Sequence, residues 1–198
     1  NLSTVAQANA FEVDVDDGAT TNTTAGSLTL NVSQDLTTVN VDTDNDVIAT
    51  LNVVNSGSTN AAPHTYAIVD DTATEDLVIN TSGTAVTFGA ATEAKHLNGA
   101  GMTGTLTATV DADLLQITGG SGDDTYTVKS SSDSITENLS EGTDLVKSSV
   151  TYVLSDNIEN LLLIGSSDIN GTGNNLDNTL TGNNGNNTLY GKDGNDTV

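Results

Sequence analysis

The chain has 198 residues, with 27 acidic side chains against four lysines and no arginine, for a net charge of −23. Nucleic acid, heparin-like glycans and anionic membranes all require cationic stripes, so they are poor partner candidates and a cation is the natural counter-charge. Apolar residues reach only 35% and aromatic ones 3%, without tryptophan or cysteine, which rules out a thick globular core and disulfide stapling.

In chain order, the first 116 residues are short β-patterned runs separated by Gly, Asn, Asp, Ser and Thr. Residues 27–32 set Leu28, Leu30 and Val32 against polar partners, and further runs follow at 36–41, 47–54, 66–69, 77–79, 85–88, 105–110 and 114–117. Threonine fills the outward positions, as on a half-solvated pleated surface. Residues 92–97 are the best place for a short helical turn, and Pro63 marks an excursion over 56–63.

Three acidic groups punctuate this part: Asp14, Asp16 and Asp17; Asp42, Asp44 and Asp46; and Asp70, Asp71, Glu75 and Asp76. Each reads as solvated strand ends or as an extra cation site. The second opens like an EF-hand, but Val47 and Val53 stand where that loop needs Gly and Glu, so the motif is rejected. His64 and His96 lack any zinc spacing, and His64 with Asp70 or Asp71 has no nucleophile to serve. Carboxylate pairs for glycoside hydrolysis cannot be singled out in a chain so full of carboxylates. The expectation is a non-catalytic protein.

The texture changes at about residue 117. Gly119-Gly120-Ser121-Gly122-Asp123-Asp124-Thr125-Tyr126-Thr127 fits the nonapeptide G-G-x-G-x-D-x-U-x, where U is a large apolar residue. Residues 173–198 repeat the phrase three times: GNNLDNTLT, GNNGNNTLY, GKDGNDTV. Gly173, Gly182 and Gly191 open the copies, Asn178, Asn187 and Asp196 hold the sixth place, and Leu180, Leu189 and Val198 the eighth. Glycines let the backbone pass through positive φ and bring carbonyl oxygens together. The aspartate adds the hard oxygen that calcium prefers among its about six to eight ligands. The eighth residue points inward from a short strand.

Two phrases make one turn of a flattened coil, so the loop at 173–178 stacks under that at 191–196. Asp177, Asn178, Asp193 and Asp196 are then the side chains nearest an ion between them. Asparagine at 178 and 187 keeps a carbonyl oxygen and loses the charge, which predicts weaker calcium sites or asparagine ladders that stack with few ions. The start at Asn1 and the stop within a phrase at Val198 read as a piece of a longer protein.

Residues 117–198 resemble the repeats-in-toxin (RTX) calcium-binding proteins, through ITGGSGDDTYTV, then ENLSEGTDLVKSSVTYVLSDNIENLLLIG, then INGTGNNLDNTLTGNNGNNTLYGKDGNDTV. The resemblance implies a right-handed parallel β-roll that folds on several extracellular Ca2+ ions after type I secretion. It makes Asp124 and Asp196 the motif aspartates, with Asn187 at the same place. Gly119, Gly120, Gly122, Gly182, Gly185, Gly191 and Gly194 become turn glycines with ligating carbonyls. Asp144, one approximate turn beyond Asp124, would share an ion with it. The stretch LVINTSGTAVTFGAATEAKHLNGAGMTGTLTATVDADLLQITGGSGDDT is similar to RTX-type bacterial surface-layer (S-layer) proteins.

The expectation is an all-β chain, with an acidic, Thr-rich segment 1–116 (solenoid or sandwich) and a calcium roll 117–198. It is a calcium-dependent structural protein of the bacterial cell surface, self-associating into a lattice, without membrane insertion. Its anchor, with lipopolysaccharide as a candidate, is reached through regions outside this chain. The alternatives are the non-catalytic tail of a secreted hydrolase, or an adhesin.

Overall fold

The computed structural model describes residues 2–7, 10–15, 26–32, 38–42, 48–55, 64–69, 78–83, 86–88, 96–109 and 116–198. Asp16, Asp17, Asp44, Asp46, Pro63, Asp70, Asp71, Glu75 and Asp76 lie outside the described residues.

Alternating strands fall into separate sheets. The longest ladder runs β1 (Leu2–Gln7), β2 (Ala10–Val15), β4 (Thr38–Asp42), β6 (His64–Val69), β8 (Val86–Phe88), β10 (Leu106–Thr109), β12 (Thr125–Val128), β14 (Leu145–Ser148), β16 (Asn160–Leu163) and β18 (Thr179–Thr181). A second ladder holds β3 (Gly26–Val32), β5 (Ile48–Asn55), β7 (Val78–Gly83), β9 (His96–Met102), β11 (Gln116–Thr118) and β13 (Ser134–Thr136). A third, shorter one holds β15 (Tyr152–Val153), β17 (Gly171–Thr172) and β19 (Leu189–Tyr190). β1 and β2 pair antiparallel. The ladders that follow are parallel, as in β10 with β12, β9 with β11, and β12 with β14.

Parallel partners one coil apart make a β-solenoid, and no helix occurs among the described residues. The parallel ladders run unbroken across residue 117, so the described strands of the upstream segment pair as a solenoid. The described parts of all eight runs read from the sequence there fall largely in strands. β1, β2 and β9 were not anticipated. The expected helical turn at 92–97 is corrected in its described part, since His96 and Leu97 open β9. Leu97 is buried and aligns with Ile79 and Ile117, so tertiary pairing overrides a weak local preference.

The core is built of stacked columns of inward side chains, two of them on the longest ladder from β10 to β16. Ala108, Tyr126, Val146, Leu161 and Leu180 are successive register partners and all are at most 2% exposed. Leu97, Ile117 and Ile135 form the facing column. Burying such side chains contributes roughly 1.5–3 kcal/mol each, and a roll this thin has few of them. Tyr190, in a ninth place like Thr127 and Thr181, points outward and is 62% exposed, outside the core.

Coil length varies while register holds. Thr125 aligns with Leu145, Leu145 with Asn160, Asn160 with Thr179 and Gly171 with Leu189, giving spacings of 20, 15, 19 and 18 residues. The 18-residue recurrence expected for 173–198 is present, and irregular turns take up the difference elsewhere.

Turn glycines serve mainly close approach. A Cβ on Gly122 would come within 2.5–2.8 Å of the Gly104 backbone in the preceding coil. Of the glycines assigned to the nonapeptide turns, Gly194 takes a positive φ, 123°. Gly122→Ala should therefore cost about 1–3 kcal/mol, because backbone, unlike a side-chain tip, cannot step aside. Urea unfolding in saturating calcium checks this, and an unshifted midpoint would contradict the packing argument.

Candidate metal centre

Five turns stack along one side of the roll, 119–124, 137–144, 154–159, 173–178 and 191–196; the first four end just before β12, β14, β16 and β18, and the last just before Thr197, which bridges to Thr179. Their last residues form a file of oxygen-bearing side chains: Asp124, Asp144, Glu159, Asn178 and Asp196. Carboxylates in this file accept backbone N–H groups from the coil before. Leu106 N donates to Asp124 Oδ1 (2.7 Å), Asp124 N to Asp144 Oδ1 (2.9 Å), Asp144 N to Glu159 Oε2 (2.8 Å) and Asn178 N to Asp196 Oδ1 (2.9 Å).

Asp124 and Asp144 come together as expected, and Glu137 joins them. One oxygen of each lies within 4.8 Å of the others, and the three residues are 1%, 1% and 5% exposed. Glu137 follows β13 and aligns with Gly119, since Thr118 pairs with Thr136. It thus stands at the first place of its turn, where the phrase wants glycine. Its carboxylate fills the space that Gly119 leaves open: a side chain on Gly119 would overlap Glu137 Oε1 and the Tyr126 hydroxyl. The 18-residue recurrence, applied to Gly119, points to this position, and sequence reasoning passed over it.

Tyr126 binds the cluster together. Its hydroxyl contacts Asp124 Oδ2 at 3.0 Å and also Glu137 Oε1. A phenol has one hydrogen, so it cannot donate to two carboxylates at once. Glu137 Oε2 is buried without a hydrogen-bond partner. The donors reaching Asp124 and Asp144 are backbone N–H groups of Leu106, Gly120 and Asp124 and the Tyr126 hydroxyl, all neutral.

The electrostatics follow from that deficit. Burial pushes Glu137 up to about 8, with the charges of Asp144, Asp124 and Glu141 adding to it. Burial likewise raises Asp144 to about 6, against the lowering effect of the Asp124 N–H. Asp124 is raised by burial, offset in part by its backbone donors, and Tyr126 is raised by burial and by Glu137. Three acids whose ionisation is opposed first by burial, and at Glu137 and Asp144 also by neighbouring carboxylates, form a site that favours an added positive charge. An orphaned carboxylate oxygen and a pocket of hard oxygens fit a calcium-type ion, with Asp124, Glu137 and Asp144 as the residues to hold it.

The remaining expected ligands divide by side. Asp177, Asn178, Gly191, Asp193, Gly194 and Asp196 lie in the two stacked turns at the end of the file, as the 18-residue arithmetic required. There Asn195 N donates to Asp177 Oδ1 (2.7 Å), and Asp193 is exposed. Gly182, Gly185 and Asn187 belong to a turn on the opposite side of the roll, between β18 and β19. Gly120 packs against Met102 and Gly99, and Gly122 against Gly104. His96 lies on β9 and His64 on β6, in different sheets. Of the upstream acids, Asp14 and Asp42 are register partners on β2 and β4.

No curated protein and no solved structure matches the chain. The family model for the RTX calcium-binding nonapeptide repeat does match it, in four copies over residues 116–135 and 172–198, so those two stretches are similar to RTX calcium-binding repeats.

Proposed function

We propose that this chain is the calcium-folded part of a secreted bacterial surface protein of the S-layer type, whose chemistry is ion-gated folding and assembly. The observation that carries the reading is the Asp124–Glu137–Asp144 cluster, three buried carboxyl groups with one orphaned oxygen among them. When bound, calcium supplies two positive charges and coordination for about six to eight oxygens. At low calcium the three carboxylates oppose burial, and a chain of net charge −23 with a thin core stays extended and fit for export. In excess calcium the closed coil is favoured by mass action, by about 2.7 kcal/mol per independent site at a free concentration a hundredfold above Kd.

Assembly into a sheet follows the same logic, with acidic turns of neighbouring copies sharing ions. Circular dichroism should pass from coil-like to strand-like on adding calcium and return with chelator. Negative-stain microscopy of the native protein should show a two-dimensional lattice that dissolves in chelator. Spectra that ignore both reagents would remove the folding claim; a calcium-folded but dispersed protein would remove the assembly claim alone.

A further inference from the structure

The sixth place of the repeat is filled in two chemically opposite ways. In every copy with the relevant bond described, one side-chain oxygen accepts the backbone N–H of the second place: Gly120 N to Asp124 Oδ2 (3.1 Å), Asn174 N to Asn178 Oδ1 (2.7 Å), Asn183 N to Asn187 Oδ1 (2.8 Å). That bond fixes the asparagine orientation, because the atom facing an N–H must be the oxygen. The remaining atom is then an oxygen in Asp124 and an NH2 in Asn178 and Asn187.

What faces that atom changes accordingly. Asp124 Oδ1 meets the N–H of Leu106. Asn178 Nδ2 instead donates to the carbonyls of Ile158 (3.0 Å) and Glu159 (3.3 Å), and Asn187 Nδ2 to that of Ile169 (2.6 Å). The second place matches: glycine accompanies Asp124, whereas Asn174 and Asn183 accompany the two asparagines. Asn174 Nδ2 donates to Ser155 and Ile158 carbonyls (2.7 Å each) and its Oδ1 caps Leu176 N (2.9 Å). Asn183 repeats the pattern with Ile164, Ser167 and Gly185. Carbonyl oxygens turned toward the sixth place are thus already occupied by neutral donors.

We infer that in the turns 173–178 and 182–187 the paired carboxamides take the place of the cation, so that these two rungs close without metal. An aspartate at 178 would set its oxygen against the carbonyls of Ile158 and Glu159, and only a cation reconciles oxygens at that separation. The pattern G-N-x-x-x-N therefore marks an ion-free rung and G-G-x-G-x-D an ion-requiring one. The inference rests on the calcium reading above, which it refines by assigning where ions do not go.

Native mass spectrometry of the full chain in millimolar calcium provides the count. The double substitutions N174G/N178D and N183G/N187D should each raise the number of bound ions by one over the wild type. Should a converted rung fail to fold, terbium-soaked crystals of the wild type give the same answer, with anomalous peaks expected at Asp124–Glu137–Asp144 and none at Asn178 or Asn187. An anomalous peak between either asparagine and the preceding coil, or folded double variants that gain no ion, would overturn the inference. A wild type that binds no calcium at all would instead defeat the folding proposal.

Discussion

Stripped of metal at pH 8, the protein should lose its strand signal and regain it on acidification to about pH 5, as it would on adding calcium. Glu137 and Asp144 have raised values in the folded coil, about 8 and about 6, against ordinary values of 4.5 and 3.8. Between pH 4.5 and 8 the folded state therefore holds protons that the unfolded chain has released. Stability present below that window is lost as pH rises through it, at about 1.4 kcal/mol per pH unit for each excess proton. The total is on the order of several kcal/mol, comparable to a domain stability of roughly 5–15 kcal/mol. With calcium saturating, the carboxylates stay ionised in the coil and the dependence should flatten or reverse. Thermal melts at pH 5 and 8, with and without chelator, check this; a chelated protein more stable at pH 8 than at pH 5 would refute it.

Glu137→Gln should separate folding from ion binding. The amide removes one of three mutually repelling buried acids, and its NH2 can donate where the carboxylate had an unpartnered oxygen. The chelated variant at pH 8 should be more stable than the chelated wild type by about 1–3 kcal/mol. Its calcium affinity should fall at least tenfold, since a charged ligand has become neutral. The two effects have opposite signs, which a merely structural role would not produce. Isothermal titration with calcium and the pH at which the strand signal is lost in chelator, expected to move upward in the variant, read them independently, and a variant weakened in both would place Glu137 outside the site.

The strands were legible because alternation survives in short runs: Leu106 and Ala108 announce an inward face without knowledge of neighbours. The nonapeptide carried still more, since Gly119, Gly120, Gly122 and Asp124 specify turn and ligand together. What the sequence hid was register between unequal coils. The 15-residue step from Leu145 to Asn160 belongs to no visible period, so Glu159 was not placed in the file with Asp124 and Asp144. β9 was hidden because Gly99 and Gly101 weaken its strand pattern. Gly99 is needed there because a Cβ would strike Leu106 and the Thr118 carbonyl. The roles of Asn174 and Asn183 were invisible for another reason: an asparagine reads as a weakened aspartate until its donor end is seen to face a carbonyl.

The unequal coils have a consequence for how such a molecule can change. Its pitch is set by interstrand bonding, whereas its circumference is left free, so a residue gained or lost in one turn is absorbed there and never shifts the next layer. Lengthening a bend is then nearly neutral for neighbouring layers, while adding one residue inside a three-residue strand such as β18 would invert its inner and outer faces. Diversity in this architecture should accumulate at the bends, where new surface can be tried without disturbing the stack.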